Sequence, residues 1–205
     1  YIVNAALELK KRGDESINFV FMGEGAMETE LKKFCKDNDL RNVQFLGNHP
    51  VGVVAEVTNC CGASITSFKN LPILATNSPN KLFDSLSAGK PIIVNSAGWT
   101  KDMVEQQNCG FYVNVEKPEE LAEKLLEYKD KKQLLEEWGH NARRLSIEVY
   151  DKAKLSSQVA DVLEKAYTDG FLDNIYGRRR RLPDLKLPKF TIKFTSHAFT
   201  GADEQ

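Results

Sequence analysis

Apolar residues recur at helical spacing through residues 1–12, where Ile2, Ala6, Leu7 and Leu9 share one face and Lys10, Lys11 and Arg12 close the segment. Positive charge at that end complements the helix dipole, and Gly13 stops the helix. Ile17–Met22 then forms a short apolar run, followed by the turn Gly23-Glu24-Gly25. The same alternation continues along the chain. Met27–Asn38 predicts a helix with Leu31, Phe34 and Cys35 inward, and Val43–Leu46 a strand. Val51–Asn59 predicts a helix and Gly62–Thr66 a strand. Later come a helix over Thr100–Gln107, a strand over Gly110–Val113, and helices over Pro118–Tyr128, Gln133–Ile147 and Ala153–Tyr167. Short apolar strands alternating with amphipathic helices predict an α/β domain, with a mostly parallel sheet between two helical layers.

The most informative stretch is Ser78–Asn95, SPNKLFDSLSAGKPIIVN. Ser78 reads as an N-cap and Pro79 as the first helical residue. Leu82, Phe83 and Leu86 fall on one face, Gly89 supplies the helix stop, and Pro91–Val94 is a strand covered on both sides. A helix start is thereby aimed into a polar loop holding Asn77, Ser78, Asn80 and Lys81. Unpaired first-turn N–H groups and the helix dipole suit an anion there. The irregular span Ser67–Asn77, with Lys69, leads into it, and loops of this length are often functional.

Parallel sheets bind ligands beyond the carboxyl ends of their strands. The loops at those ends are 23–26, 47–50, 67–78, 95–99 and 114–117. Asp84 lies one turn inside the helix and is the sharpest single candidate. It reads as a solvated helix carboxylate, as an intrahelical partner of Lys81, or as an acceptor for a vicinal diol such as a ribose 2′,3′-hydroxyl pair. Lys81 reads as a phosphate partner or as a surface lysine, and Lys69 likewise. Gly23 and Gly25 resemble half of a dinucleotide fingerprint, but Glu28 stands where the third small residue belongs. A tight strand-to-helix turn accounts for them equally well, and so does a supporting role at the rim.

Composition narrows the picture further. The 205 residues carry a formal net charge of -1, which gives no global basis for nucleic-acid binding. No apolar run approaches the roughly 20 residues that span a bilayer, and no secretory signal is visible. Cys35, Cys60, Cys61 and Cys109 show neither zinc spacing nor a disulfide framework, and read as reduced, mostly buried thiols of a cytoplasmic protein. The only Asp-x-Asp, Asp37-Asn38-Asp39, ends a helix, so metal binding has little support. The chain opens at Tyr1 inside a helical pattern with no cap. It therefore reads as a piece of a longer polypeptide, with at least one strand upstream.

Residues 170–205 differ from the rest. Arg178, Arg179, Arg180 and Arg181 form a basic run, Pro183 and Pro188 interrupt order, and Lys189–Thr195 alternates like a single edge strand. The basic run reads as a solvated linker, as a contact with an anionic membrane surface, or last as a nucleic-acid contact, which no aromatic-rich or otherwise basic face supports.

In order, the G-x-G loop, "VQFLGNHP", "SPNKLFDSLSAGKPIIVNSAG", "GFYV" and "EKPEELAEKL" resemble the C-terminal half of family 4 glycosyltransferases. The resemblance covers roughly residues 1–169, and its specific part is the segment from Pro79 to Ile92. It is strongest to bacterial enzymes that build surface polysaccharides. It implies a GT-B architecture, with residues 1–169 as an N-terminally incomplete, Rossmann-like nucleotide-sugar-binding domain and 170–205 as a basic appendage. The partner across the cleft would be an N-terminal acceptor domain. The resemblance also implies a retaining transfer of a hexose-type sugar from a nucleoside diphosphate to an acceptor hydroxyl, in cell-surface polysaccharide or glycolipid synthesis. No metal or other cofactor is expected. The enzyme would be cytoplasmic, with a peripheral position on the inner membrane face where Arg178–Arg181 meet anionic lipid.

Carried over by position, Asp84 takes the place of the second Glu of the family's E-x7-E motif, which binds the donor ribose. The first Glu falls at Thr76, which is not acidic. Pro79, Asn80, Lys81 and Leu82 fall where the family's loop and helix start approach the diphosphate and sugar. Gly47, Asn48 and His49 fall at the nucleobase. Two other readings remain open: a nucleotide-sugar epimerase of related fold, and a non-catalytic domain that has lost the donor site.

Overall fold

A computed structural model describes residues 1–168. Among these residues, helices and strands alternate as the hydrophobic pattern predicts. They are α1 (Ile2–Lys11), β1 (Phe19–Met22), α2 (Glu28–Asp37), β2 (Val43–Gly47), α3 (Val51–Cys60) and β3 (Ser64–Thr66). A 3-10 turn over Pro72–Thr76 precedes α4 (Asn80–Ser87), β4 (Ile92–Val94), α5 (Trp99–Gln106) and β5 (Gly110–Tyr112). The helices α6 (Pro118–Tyr128), α7 (Lys132–Glu148) and α8 (Lys152–Thr168) follow. The chain divides into two compact units, Tyr1–Leu155 and Ser156–Gln205, and α8 runs across the division. The expected appendage, with Arg178, Arg179, Arg180 and Arg181, lies outside the described residues.

All strand pairing is parallel, as short apolar strands joined by helices require. The strands fall into two ladders, β1–β2 and β3–β4–β5. Within the second, Ile93 of β4 lies between Ile65 and Phe111. β4 is buried on both faces, which explains its unbroken apolar sequence. β1 begins at Phe19, two residues later than the apolar run suggests. The Ile17 carbonyl is taken by the Asn42 side-chain amide at 2.8 Å, and the backbone pairing starts with Phe19 N–H on the Asn42 carbonyl.

One helical layer, α1 with α2 and α6, packs Val3, Ala6, Leu9, Cys35 and Ala122 against Phe19 of β1. On the second ladder, α4, α5 and α7 bury Leu82, Leu86, Val104, Ala142 and Leu145 against Ile92 and Val94. Its other face packs Ile93 and Phe111 against Ala5, Leu121 and Trp138. Each such Leu or Ile contributes roughly 1.5–3 kcal/mol by leaving water. The inward face of α1 is Val3, Ala5, Ala6 and Leu9, with Ile2 and Leu7 only half-buried. The small Ala5 and Ala6 let α1 lie close to both ladders, a contact that hydropathy alone underrates.

The start of α4 corrects one expectation. Pro79, not Ser78, is the N-cap, and Asn80 is the first helical residue. The backbone of Pro79 is extended (ψ 136), so its carbonyl accepts from Leu82 N–H at 3.0 Å. No side chain caps this helix.

Candidate functional site

The rim at the carboxyl ends of the strands gathers most of the candidate residues. Gly23 donates its N–H to the Gly47 carbonyl at 2.7 Å, joining the loop after β1 to the end of β2. Both glycines hold positive φ, +115 and +75, which a side chain disfavours. Gly25 and Asn48 are exposed beside them. The exposed His49 ring donates from Nε2 to the Leu46 carbonyl at 2.9 Å, so it closes its own turn.

The irregular span 67–78 is held down from several directions. The Asn95 side chain, 2% exposed at the end of β4, accepts from Phe68 N–H at 2.8 Å. Its amide nitrogen donates to the Ser67 hydroxyl at 2.8 Å and the Phe68 carbonyl at 3.1 Å. Trp99 Nε1 donates to the Asn77 carbonyl at 3.0 Å, and the Ser96 hydroxyl to the Leu74 carbonyl at 3.3 Å. A Cβ on Gly98 would lie 1.9 Å from the Ala75 carbonyl oxygen, so the 3-10 turn rests directly on this glycine. At the outer end, Asn70 donates to Glu116 at 2.7 Å and Lys69 is exposed. The hydroxyl of Thr66, buried at the end of β3, has no hydrogen-bond partner among the described residues.

This pinned loop positions α4. Ser85 donates to the Lys81 carbonyl at 2.7 Å and shares a 2.6 Å hydrogen bond with Ser64, fixing the helix to β3. Lys81 is exposed and carries its ammonium over the Phe68 ring, 5.5 Å from the centroid. No ion pair joins Lys81 to Asp84, so the partnership with Lys81 does not hold, while the exposure of Asp84 fits a solvated carboxylate. Asp84 is exposed on the face of α4 opposite Leu82 and Leu86. It lines a groove of about 880 Å³ with Val51 and Val54 of α3, which also runs along Lys90, His140 and Arg143. The N–H groups of Asn80 and Lys81 have no intrahelical acceptor by helix geometry.

Pro79, Asn80, Lys81 and Asp84 fall on the first turns of α4; of these Asp84 alone lines the groove, whose other walls include Gly62, Lys90 and Pro91 ahead of β3 and β4, and Gly47, Asn48 and His49 do not line it. Leu82 does not join them, because its side chain is fully buried in the core. Thr76 is exposed, and its hydroxyl donates to the Ile73 carbonyl at 3.0 Å within its own turn. Sequence reasoning missed Asn95, Phe68, Ser96, Gly98 and Trp99. One signal was available: a polar Asn directly ending the apolar run Ile92–Val94.

The thiols differ in setting. Cys35 and Cys109 are buried, Cys60 is exposed and Cys61 half-buried, so the expected burial holds for only two of them. Burial pushes the Cys109 thiol up to about 11, which keeps it protonated at neutral pH. Among the described residues, no cluster of His, Cys, Asp and Glu is arranged to hold a metal, and no helix is long and apolar enough to cross a membrane.

Two parallel ladders packed between helices define a Rossmann-like type of α/β domain. The model of the family Glycosyl transferases group 1 matches residues 1–145, and the chain belongs to that family. An uncharacterized glycosyltransferase of Methanocaldococcus jannaschii is 24% identical over 133 residues, 65% of this chain and 36% of that protein. Among solved structures, Anabaena Alr3699/HepE in complex with UDP superposes with a TM-score of 0.66 at 17% identity, over 79% of this chain and 44% of that one. Staphylococcus aureus TarM, as a mutant with UDP and a glycan, superposes at 0.63 and 20% identity, over 78% and 31%. These likenesses establish a GT-B, Rossmann-like fold. The chain spans less than half the length of each of these relatives.

Proposed function

We propose that this chain is the donor-binding domain of a retaining glycosyltransferase that moves a hexose-type sugar from a nucleoside diphosphate to an acceptor hydroxyl. The observation that carries the reading is Asp84, unpaired and exposed one turn inside an uncapped helix start, facing the groove toward α3. A carboxylate there accepts two hydrogen bonds from a ribose diol. The N–H groups of Asn80 and Lys81, with the Lys81 ammonium, hold the diphosphate. HepE in complex with UDP-glucose supports a nucleotide sugar as the ligand class.

The leaving diphosphate gains negative charge as the glycosidic bond breaks. Groups already aimed at that charge lower the barrier, with no metal among them. Departure and attack from one face keep the sugar's configuration. An acceptor domain supplies the other wall of the cleft, so the isolated chain binds nucleotide weakly and turns over little. The setting is the cytoplasm, in polysaccharide or glycolipid synthesis. Arg178–Arg181 hold the enzyme at anionic lipid on the inner membrane face. Co-sedimentation with anionic liposomes tests that contact: a variant with all four arginines changed to Ala should stay in the supernatant, and equal pelleting rejects it.

Titration calorimetry with UDP, GDP and their sugars tests the donor site. One of the nucleotides should bind, and Asp84→Ala should weaken it about tenfold or more, the scale of a hydrogen bond to a charged group. Equal binding by Asp84→Ala removes the ribose role. A second reading, a domain that has lost its donor site, draws on Thr76, whose hydroxyl is turned into its own turn. It predicts no binding by any nucleotide. An epimerase would need acid and base groups at the rim, and His49 is engaged by the Leu46 carbonyl.

A further inference from the structure

We infer that the Thr66 hydroxyl is a further binding group for the phosphate end of the donor, set beneath the two first-turn N–H groups of α4. The ligand's identity rests on the donor-site reading above; the place of Thr66 rests on register and burial.

Within β3, Ser64 pairs with Ile92 and Thr66 with Val94. Ser64 and Thr66 therefore turn to the face that α4, α5 and α7 cover, and Ile65 turns to the other. Ser64 shares a 2.6 Å hydrogen bond with Ser85, and Ser85 donates to the Lys81 carbonyl at 2.7 Å. These hydroxyls pin α4 over β3. Because β3 and β4 are parallel, the helix between them runs back against both. Two residues along the strand from Ser64 span about 7 Å. Four residues back along the helix from Ser85 span about 6 Å. The two steps end together, so Thr66 lies beneath Lys81 in the first turn of α4.

Ser64 and Thr66 are polar where the layer is otherwise apolar. Ile92 and Val94 beside them follow the usual rule for a strand between two helical layers. The Ser64 hydroxyl is satisfied by Ser85. Thr66 is 1% exposed, and its Oγ1 has no hydrogen-bond partner among the described residues. A buried hydroxyl without a partner costs stability, and a Val of nearly the same shape would avoid that cost. The Asn80 and Lys81 N–H groups also lack acceptors by helix geometry, and no side chain caps the helix. Three unpartnered donors thus meet at one helix start. The ligand they share is an acceptor, and phosphate oxygens fit all three. A bond from Thr66 forms away from water, where it is electrostatically stronger. The Lys81 ammonium rests over the Phe68 ring, two residues beyond Thr66. Drawn to a phosphate, it leaves that ring and opens the way to the hydroxyl beneath.

Titration of the 205-residue chain with inorganic pyrophosphate, UDP and GDP, read by calorimetry and NMR, tests Thr66. Thr66→Val should bind pyrophosphate about tenfold or more weaker than the unsubstituted chain, while melting at the same or a higher temperature. Thr66→Ser, which keeps the hydroxyl, should restore most of the affinity. In the unsubstituted chain the Thr66 methyl resonance should move with the Asn80 and Lys81 amides as pyrophosphate is added, a readout that needs no variant. Equal affinity in Thr66→Val overturns the role of Thr66, as does a methyl that stays still while those amides move. A loss that Thr66→Ser does not rescue overturns it in favour of packing. Melting of Thr66→Val well below the parent overturns it in favour of a bond within the protein. Pyrophosphate binding that depends on Thr66, with no binding of UDP or GDP, supports the phosphate group and rejects the nucleotide reading. Nucleotide binding indifferent to Thr66→Val keeps that reading and rejects Thr66. If none of the three binds, both fall.

Discussion

At the scale of single residues, the site depends on side chains whose partners lie far away in sequence. Asp84 was legible in its outward position, because Leu82 and Leu86 fix the inward face of α4. Its freedom from Lys81 was not, because that follows from Phe68 holding the ammonium. Asn95 was invisible as a site residue, since its three hydrogen bonds reach a loop 27 and 28 residues earlier in the chain. Asn95→Ala should leave Phe68 N–H without its acceptor and loosen the seat under Lys81. Nucleotide affinity should fall about tenfold while the melting temperature drops only a few degrees, since the lost bonds hold a loop and not the core. Unchanged affinity contradicts that role. Thiol labelling gives an independent check on burial. The exposed Cys60 should react first with iodoacetamide, and Cys109, fully buried and held protonated, only on unfolding. Fast labelling at Cys109 in the folded chain contradicts its placement.

At the scale of elements, periodicity located every described helix to within a residue or two, because an amphipathic face repeats along the whole helix. Strand ends were harder. The apolar run from Ile17 overshoots β1 because the Asn42 amide takes the Ile17 carbonyl, and a side chain 25 residues on leaves no local trace. The cap of α4 shifted for a similar reason: Pro79 suits a first helical turn, but here its extended backbone already turns its carbonyl to Leu82. The 3-10 turn before α4 rests on Gly98 and takes hydrogen bonds from Ser96 and Trp99. Gly98→Ala would drive a methyl into the Ala75 carbonyl. It should cost about 1–3 kcal/mol in chemical denaturation. It should also shift the Trp99 indole resonance, as that ring loses the Asn77 carbonyl. A neutral Gly98→Ala contradicts the close approach.

At the scale of the whole molecule, the alternation of strand and helix dictated a parallel α/β fold, and the family match over residues 1–145 agrees. The division into two ladders was not legible, because local pattern does not say which strands are neighbours. Ligands of parallel α/β sheets bind at the rim beyond the carboxyl ends of the strands. The start of α4 and the loop after β2 lie on this rim. The most direct measurement is a nucleotide titration followed by amide chemical shifts, with UDP and GDP as probes. Shifts should concentrate at Asn48, Asn80, Lys81 and Asp84 and be lost in Asp84→Ala. Shifts that map elsewhere, or that persist unchanged in Asp84→Ala, would contradict that placement.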